Sequence, residues 1–598
     1  GSPIPTLHEQ LERVSVVIGL GAFASDAISS VAYATEEVLL ALVVAGSAAL
    51  SFGPLIAVLI ASVMIIVISS YYQTVHAYPG GGGAYNVALD NLGIAPALVA
   101  GAALLVDYIM TVAVSVAAGV AAVTSAVPDL YPHRVLLALG TVMVLTMVNL
   151  RGLRESGRLF ALPTYVFIIS MLWVLTAGAI KLFAQDGEAV ARALPVLPTE
   201  PVSAVGIWLL VRAFASGCVA LTGVEAIANT VPAFKEPCSR HAGISMVWLG
   251  LILATFFAGI TFLAFAFGIQ PRPDETVLSQ IGVKVFGHAP PYLLLQASTA
   301  LLLLIAANTS YTGFPRLASL LGRDQFLPQQ FSHLGDRLVF SNGIMILGAA
   351  AAALLVLFQA DTHALIPLYA VGVFIAFTIS QIGMVVRWRT LRGPGWRWRA
   401  ILNSLGAAAT ALVVVVVASA KFVHGAWVVL VVIPLLIWLF VSIHRHYRDV
   451  AWELRISPNA PLRGITHTVV VPIPGVTRPV LNALEYAKSL SPHVRAVYIS
   501  PNDADTKAMQ TLWRQWNPGI DLVVLQPPYR TIVAPFMDYL DVVDRERGDD
   551  LVTVVLPEFM PRRWWHHFLH NQTALMLKGA LLFRKNVVVI DVPYHLHQ

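Results

Sequence analysis

Three carboxylic acids stand where lipid-immersed chain offers them no counter-charge. Asp26, Asp107 and Glu225 fall inside otherwise apolar stretches, and Glu36 and Glu37 sit farther along the first of these. A carboxylate at the centre of a bilayer costs roughly 2.5–3.5 kcal/mol on insertion scales. None of these stretches carries a Lys or Arg at comparable depth, so the charge must be met by a proton or a bound cation. One buried acid can be a protonated, hydrogen-bonded tie between helices. Three on separate segments point to a site.

Spacing adds geometry. Asp107, Thr111 and Ser115 repeat every four residues and share one helix face, with Tyr108 beside them. Tyr33 follows Asp26 by seven residues and can add another oxygen. The set is oxygen only, which hard alkali and alkaline-earth cations select, whereas transition metals favour nitrogen and sulfur. The hydroxyls also fit plain helix packing in a membrane. Residue types do not separate K⁺ from Na⁺, because that choice depends on cavity size and ligand number.

The elements that must hold these groups follow from composition. Of 598 residues, 57% are hydrophobic and 12% charged, and the mean hydropathy is +0.73. A soluble protein carries about 25% charged residues, so lipid must cover much of this one. Counting about 20 apolar residues per span predicts twelve segments, near 14–45, 53–75, 95–127, 134–150, 159–183, 203–230, 243–269, 288–315, 341–359, 363–386, 400–420 and 424–442. The chain thus reads as an all-α polytopic membrane domain over 1–442, followed by a cytoplasmic α/β domain over 443–598. Strand-like runs at 467–472 (HTVVVP), 494–499 (VRAVYI), 551–556 (LVTVVL) and 587–590 (VVVI), with helical stretches between, predict a largely parallel sheet there.

With a cytoplasmic N-terminus, thirteen Lys and Arg residues from Arg151 to Arg399 lie in inside loops, against five outside (Arg134, Arg192, Arg272, Lys284, Lys421). That bias sets the orientation and puts both termini in the cytoplasm. It also explains the net charge of +5 without nucleic acid as a partner. Gly1-Ser2 reads as a cloning remnant, and no cleavable signal peptide is expected. Cys218 and Cys238 are not expected to form a disulfide.

Two spans look broken. The first has a polar run at 25–30 (SDAISS), where unwinding would free carbonyls at the negative end of a half-helix. The sixth holds 220–225 (ALTGVE), with Thr222 and Gly223 beside Glu225. They are five spans apart, so they occupy matching places in two five-helix halves, the arrangement of a transporter with its site at the midplane.

Other features are weaker. Residues 79–85 (PGGGGAY) lack the Gly-Lys-Ser/Thr ending of a phosphate loop and read as a turn or a close helix approach. His566, His567 and His570 have helical spacing but sit among Trp564, Trp565 and Phe568, which favours packing over metal. Asn308, Thr309, Ser310, Tyr311, Tyr369 and Gln381 either line a path or bond helix to helix.

The runs 79–85 (PGGGGAY) and 149–157 (NLRGLRESG) resemble loop signatures of the amino acid–polyamine–cation transporter superfamily. Within it, 25–37 (SDAISSVAYATEE) and 220–229 (ALTGVEAIAN) resemble KimA-type potassium importers of the KUP family, over nearly the whole chain. The resemblance implies a LeuT-like fold of two inverted five-helix repeats plus two further helices. It implies a multi-pass protein of the cell (inner) membrane that imports K⁺ with H⁺, and a homodimer held partly by the cytoplasmic domains. It also implies potassium at Asp26, Asp107, Tyr108, Thr111 and Ser115, with Tyr33 and Thr222 completing the cation site. Some relatives are regulated by cyclic dinucleotides, although no residue of this tail independently points to one.

Glu225 is the expected proton carrier, because an acid buried away from bases favours its neutral form. No cofactor is expected; K⁺ is cargo. The chief alternative is a proton-coupled amino acid or amine permease. There Asp26 would repel a substrate carboxylate at the broken first helix, so a cationic amine is its stronger form. A channel fits poorly with broken helices in both halves. An enzyme is not expected, because the membrane part has no nucleophile–base pair or metal motif and the tail no catalytic signature.

Overall fold

In lipid every backbone N–H and C=O must be satisfied within the chain, so the apolar runs of this sequence become helices. The computed structural model describes residues 13–44, 47–151, 157–185, 206–272, 274–333, 340–420, 422–456, 465–500, 502–527, 531–547, 551–560 and 573–595. Two units separate, Gly1–Leu454 and Arg455–Gln598.

In the first unit the helices are α1 (Val16–Phe23), α2 (Ser25–Val43), α3 (Gly53–Ala77), α4 (Ala84–Leu92), α5 (Ile94–Ala126), α6 (Arg134–Leu150), α7 (Gly157–Gln185) and α8 (Ile207–Gly217). There follow α9 (Glu225–Asn229), α10 (Cys238–Ala266), α11 (Val277–Phe286), α12 (Pro290–Arg323), α13 (Ser341–Leu357), α14 (Thr362–Leu391), α15 (Trp396–Ala420) and α16 (Trp427–Glu453). Among the described residues ten spans are long and apolar enough to cross a bilayer, or eleven with α1 and α2 counted as one bent span. The expected segment at 341–359 is α13, whose 17 residues fall short of that length. Two short helices, α4 and α11, were not expected, and α16 runs on past residue 442 to Glu453.

The first break differs from the expectation. The chain bends by 48° between α1 and α2 at Ala24 alone, and residues 25–30 are helical. The Ser29 and Ser30 hydroxyls each donate to a carbonyl three residues back, at 2.7 Å. Short polar side chains that bond their own helix in this way need no unwinding. The carbonyls expected to be freed at 25–29 therefore belong to α2. The sixth span breaks where expected: a 3-10 turn at Cys218–Leu221, an extended Thr222, and Gly223 at φ +78° separate α8 from α9.

α5 is the central post. Small residues such as Ala97, Ala100, Gly101, Ala102 and Ala103 are buried and let neighbouring backbones come close. It packs against α12 and α14. At Gly372 of α14 a Cβ would lie 3.3 Å from Ala103 O.

The second unit contains β1 (His467–Ile473), α17 (Arg478–Leu490), β2 (Val494–Ile499), α18 (Asp503–Trp516), β3 (Asp521–Leu525), α19 (Val533–Arg547), β4 (Leu551–Met560), α20 (Thr573–Leu581) and β5 (Val587–His595). The five strands pair in parallel in the order β3-β2-β1-β4-β5, with Val470 opposite both Arg495 and Val554. Alternation divides the core. Val469 and Val471 pack with Leu484, Met509 and Trp513, whereas Val470 packs with Phe536, Leu540 and Leu577. Both faces are covered, which is why β1 is apolar almost throughout. The strand order reverses between β1 and β4, and a cleft of about 530 Å³ opens there, lined by Thr477, Arg478, Phe559 and Tyr594.

Candidate functional site

Asp26 lies in the first turn of α2, Asp107 near the middle of α5, and Glu225 opens α9. All three are buried. Gly223 explains how the two breaks come together. A Cβ there would stand 2.7 Å from both Ala27 N and Asp26 Oδ2, and its positive φ disfavours any other residue. The Ser30 hydroxyl, 3.1 Å from Ala220 O, ties α2 to the second break.

The carboxyls of Asp107 and Glu225 stand close enough to interact directly. Asp26 Oδ1, Asp107 Oδ1, Glu225 Oε2 and Asn229 Oδ1 are buried without a hydrogen-bond partner. Among the described residues no Lys or Arg forms an ion pair with the three acids. Each unsatisfied buried acceptor costs about 1–3 kcal/mol, more when charged. Several together make a pocket that favours positive charge.

Phenols surround the acids. Tyr33 stands beside Thr222, and Tyr369 beside Thr111. Asn229 Nδ2 donates to the Tyr108 hydroxyl at 3.4 Å. Asp26, Tyr33, Asp107, Tyr108, Thr111, Thr222 and Glu225 thus converge. Ser115 is buried farther along α5, roughly 12 Å from Asp107 at 1.5 Å of rise per residue. Among the described residues no three His, Cys, Asp or Glu side chains form a metal-ligand cluster. A cation here takes its ligands from carboxyls and hydroxyls jointly.

Residues 79–85 prove to be a close approach. Gly82 N–H donates to Ala228 O at 2.9 Å, and a Cβ on Gly83 would stand 2.8 Å from Asn229 Oδ1. The loop closes one end of the site against α9. Asn308 and Tyr311 bond helix to helix: Asn149 Nδ2 donates to Asn308 Oδ1 at 2.7 Å, and the Thr146 and Tyr311 hydroxyls are 2.8 Å apart. His566, His567 and His570, and residues 152–156 of the second loop signature, lie outside the described residues.

One expectation needs correction. Glu36 and Glu37 are not without a base: His363 Nδ1 lies 2.8 Å from Glu37 Oε1, and Nε2 3.5 Å from Glu36 Oε1. Neither a Lys nor an Arg of these spans is needed for that. An imidazole in the first turn of α14 supplies the partner instead. Tyr369 and Asn229 also join the site; the signal for both was a polar side chain in an apolar helix.

A bundle of spanning helices, two of them interrupted, with acids and phenols gathered between the interruptions, defines a polytopic permease. The family model for amino acid permeases matches residues 14–441. That for the KimA potassium transporter C-terminal domain matches residues 465–594. The chain is 42% identical over 597 residues to "Potassium transporter KimA" of Bacillus subtilis (strain 168), covering 100% of this chain and 98% of the relative. It belongs to the KimA family within the amino acid permeases.

Proposed function

We propose that this chain imports K⁺ together with H⁺ by alternating access. The observation that carries the reading is the cluster of three acids with unpartnered oxygens, held on two broken helices and α5 without a basic partner among the described residues. The relative's name supplies the ion. K⁺ sits between Asp26, Asp107, Tyr33, Tyr108, Thr111 and Thr222, whereas Ser115, about two turns farther along α5, stands too far from Asp107 to hold the same ion; Glu225 carries the proton that Asp107 can share. The five spans from α1 to α7 and the five from α8 to α14 form two inverted repeats of LeuT type, with breaks at matching positions, and α15 and α16 are the two further helices. The positive loops face the cytoplasm, which puts the membrane domain in the cell membrane and residues 443–598 inside.

The cytoplasmic domain dimerises the protein and regulates it. Open parallel sheets bind ligands beyond the carboxyl ends of their strands, where the strand order reverses. A cyclic dinucleotide therefore belongs in the cleft of Arg478, Phe559 and Tyr594. An amino acid substrate is disfavoured because Asp26 occupies the helix start where a carboxylate would dock. Rubidium and labelled amino acids offered to the same liposomes separate the two readings.

Glu225→Gln keeps the side chain's size and one hydrogen-bonding oxygen but cannot release a proton. In proteoliposomes it is expected to lose rubidium accumulation driven by an imposed pH gradient, while rubidium binding persists. Unchanged accumulation and pH dependence would remove Glu225 from the role.

A further inference from the structure

At the far end of α2, two adjacent buried glutamates converge on a single imidazole. The side chains of Glu36 and Glu37 are 3% and 2% exposed, whereas that of His363 is 35% exposed. Because His363 belongs to α14, the contact joins that helix to α2. Glu36 Oε2 also accepts the backbone N–H of Val277 at 3.3 Å, at the start of α11. One pair of acids therefore holds three elements together.

Beneath this clasp lies a cavity with about 30 Å³ of space for water, room for one or two molecules. Tyr33, Glu36, Ala121, Thr299 and His363 help to line it. Tyr33, nearest of its lining residues to Asp26 along α2, also lies beside Thr222 of the second break. The clasp thus lies between the rim and the three-acid site. Neighbouring buried carboxylates repel, and the imidazole at the rim offsets part of that repulsion. Removing it takes away a tie between α2 and α14 and favours their parting, which admits water.

We propose that the Glu36–His363–Glu37 clasp is a latch that shuts the route to the site at this end of the molecule, and that its release is the opening step on that side. The proposal rests on the transporter reading above, and on its orientation only for calling this side the outside. The test uses the full chain in intact cells, with Cys238→Ser and a reporter Ala121→Cys in the cavity. A membrane-impermeant maleimide labels the reporter slowly in the parent. It is expected to label it at least about fivefold faster in His363→Ala, with His363→Lys staying near the parent rate.

Equal rates in parent and His363→Ala, at equal amounts in the membrane, would overturn the latch. If His363→Ala does not reach the membrane, His363→Leu, which also removes the imidazole but fills its space, replaces it with the same two outcomes. Gly80→Cys, at an open position at the opposite end, reports orientation separately. Labelling of Gly80→Cys in intact cells would mean that the orientation is inverted, and the same latch comparison is then read in inside-out vesicles.

Discussion

Asp107→Asn is expected to lower rubidium uptake in proteoliposomes by roughly a hundredfold. At an effective dielectric of about 20, a unit charge 4 Å from a cation contributes about 4 kcal/mol. Neutralising Asp107 also relieves its repulsion with Glu225 and Asp26, whose charges reach it, so part of that loss is offset. About 3 kcal/mol remains, close to two decades in affinity at 1.4 kcal/mol each. Thr111→Ala removes a neutral hydroxyl worth about 1 kcal/mol and is expected to cost only severalfold. The relief of repulsion gives the prediction a second sign. Without alkali ions Asp107→Asn melts at the parent temperature or above, yet K⁺ no longer raises its melting point. Uptake within threefold of the parent, or an intact K⁺-induced shift, would show that Asp107 does not hold the ion.

What the sequence disclosed and what it withheld divide along physical lines. Asp26, Asp107 and Glu225 were legible because the cost of a carboxylate in lipid depends on its own span. Thr222 and Gly223 announced the second break because a β-branched residue and then a glycine, two residues before a buried acid, are poor helix formers in the middle of a span. The first break was misplaced because Ser29 and Ser30 look like helix breakers by type, yet their hydroxyls bond back into α2. His363 escaped notice because its contact with Glu36 and Glu37 spans more than 320 residues and exists only once α14 has folded over α2. β3, five residues beginning with an aspartate, was too short and too polar at its start to stand out. It is recognisable as a strand only by its register against β2.

Gly223→Ala is the sharpest test of the idea that the two breaks are one structure. The added methyl would stand 2.7 Å from Asp26 Oδ2 and 2.7 Å from Ala27 N, both well inside van der Waals contact. The carboxylate can swing away, but the backbone nitrogen cannot move without shifting the start of α2. Alanine at φ +78° adds about 1–2 kcal/mol of its own, and overpacking of this kind costs typically 1–3 kcal/mol. The expected result is at least a tenfold loss of rubidium uptake, with the protein still present in the membrane. Gly140→Ala, where a Cβ meets nothing within 4 Å, is expected to change nothing. Gly223→Asn separates the two causes, since asparagine tolerates positive φ but still carries the Cβ. If Asn fails as Ala does, the clash with Asp26 and Ala27 is responsible; if Asn transports normally, backbone strain alone was at fault. Parent-level uptake by Gly223→Ala would mean that the second break does not bear on Asp26 during transport.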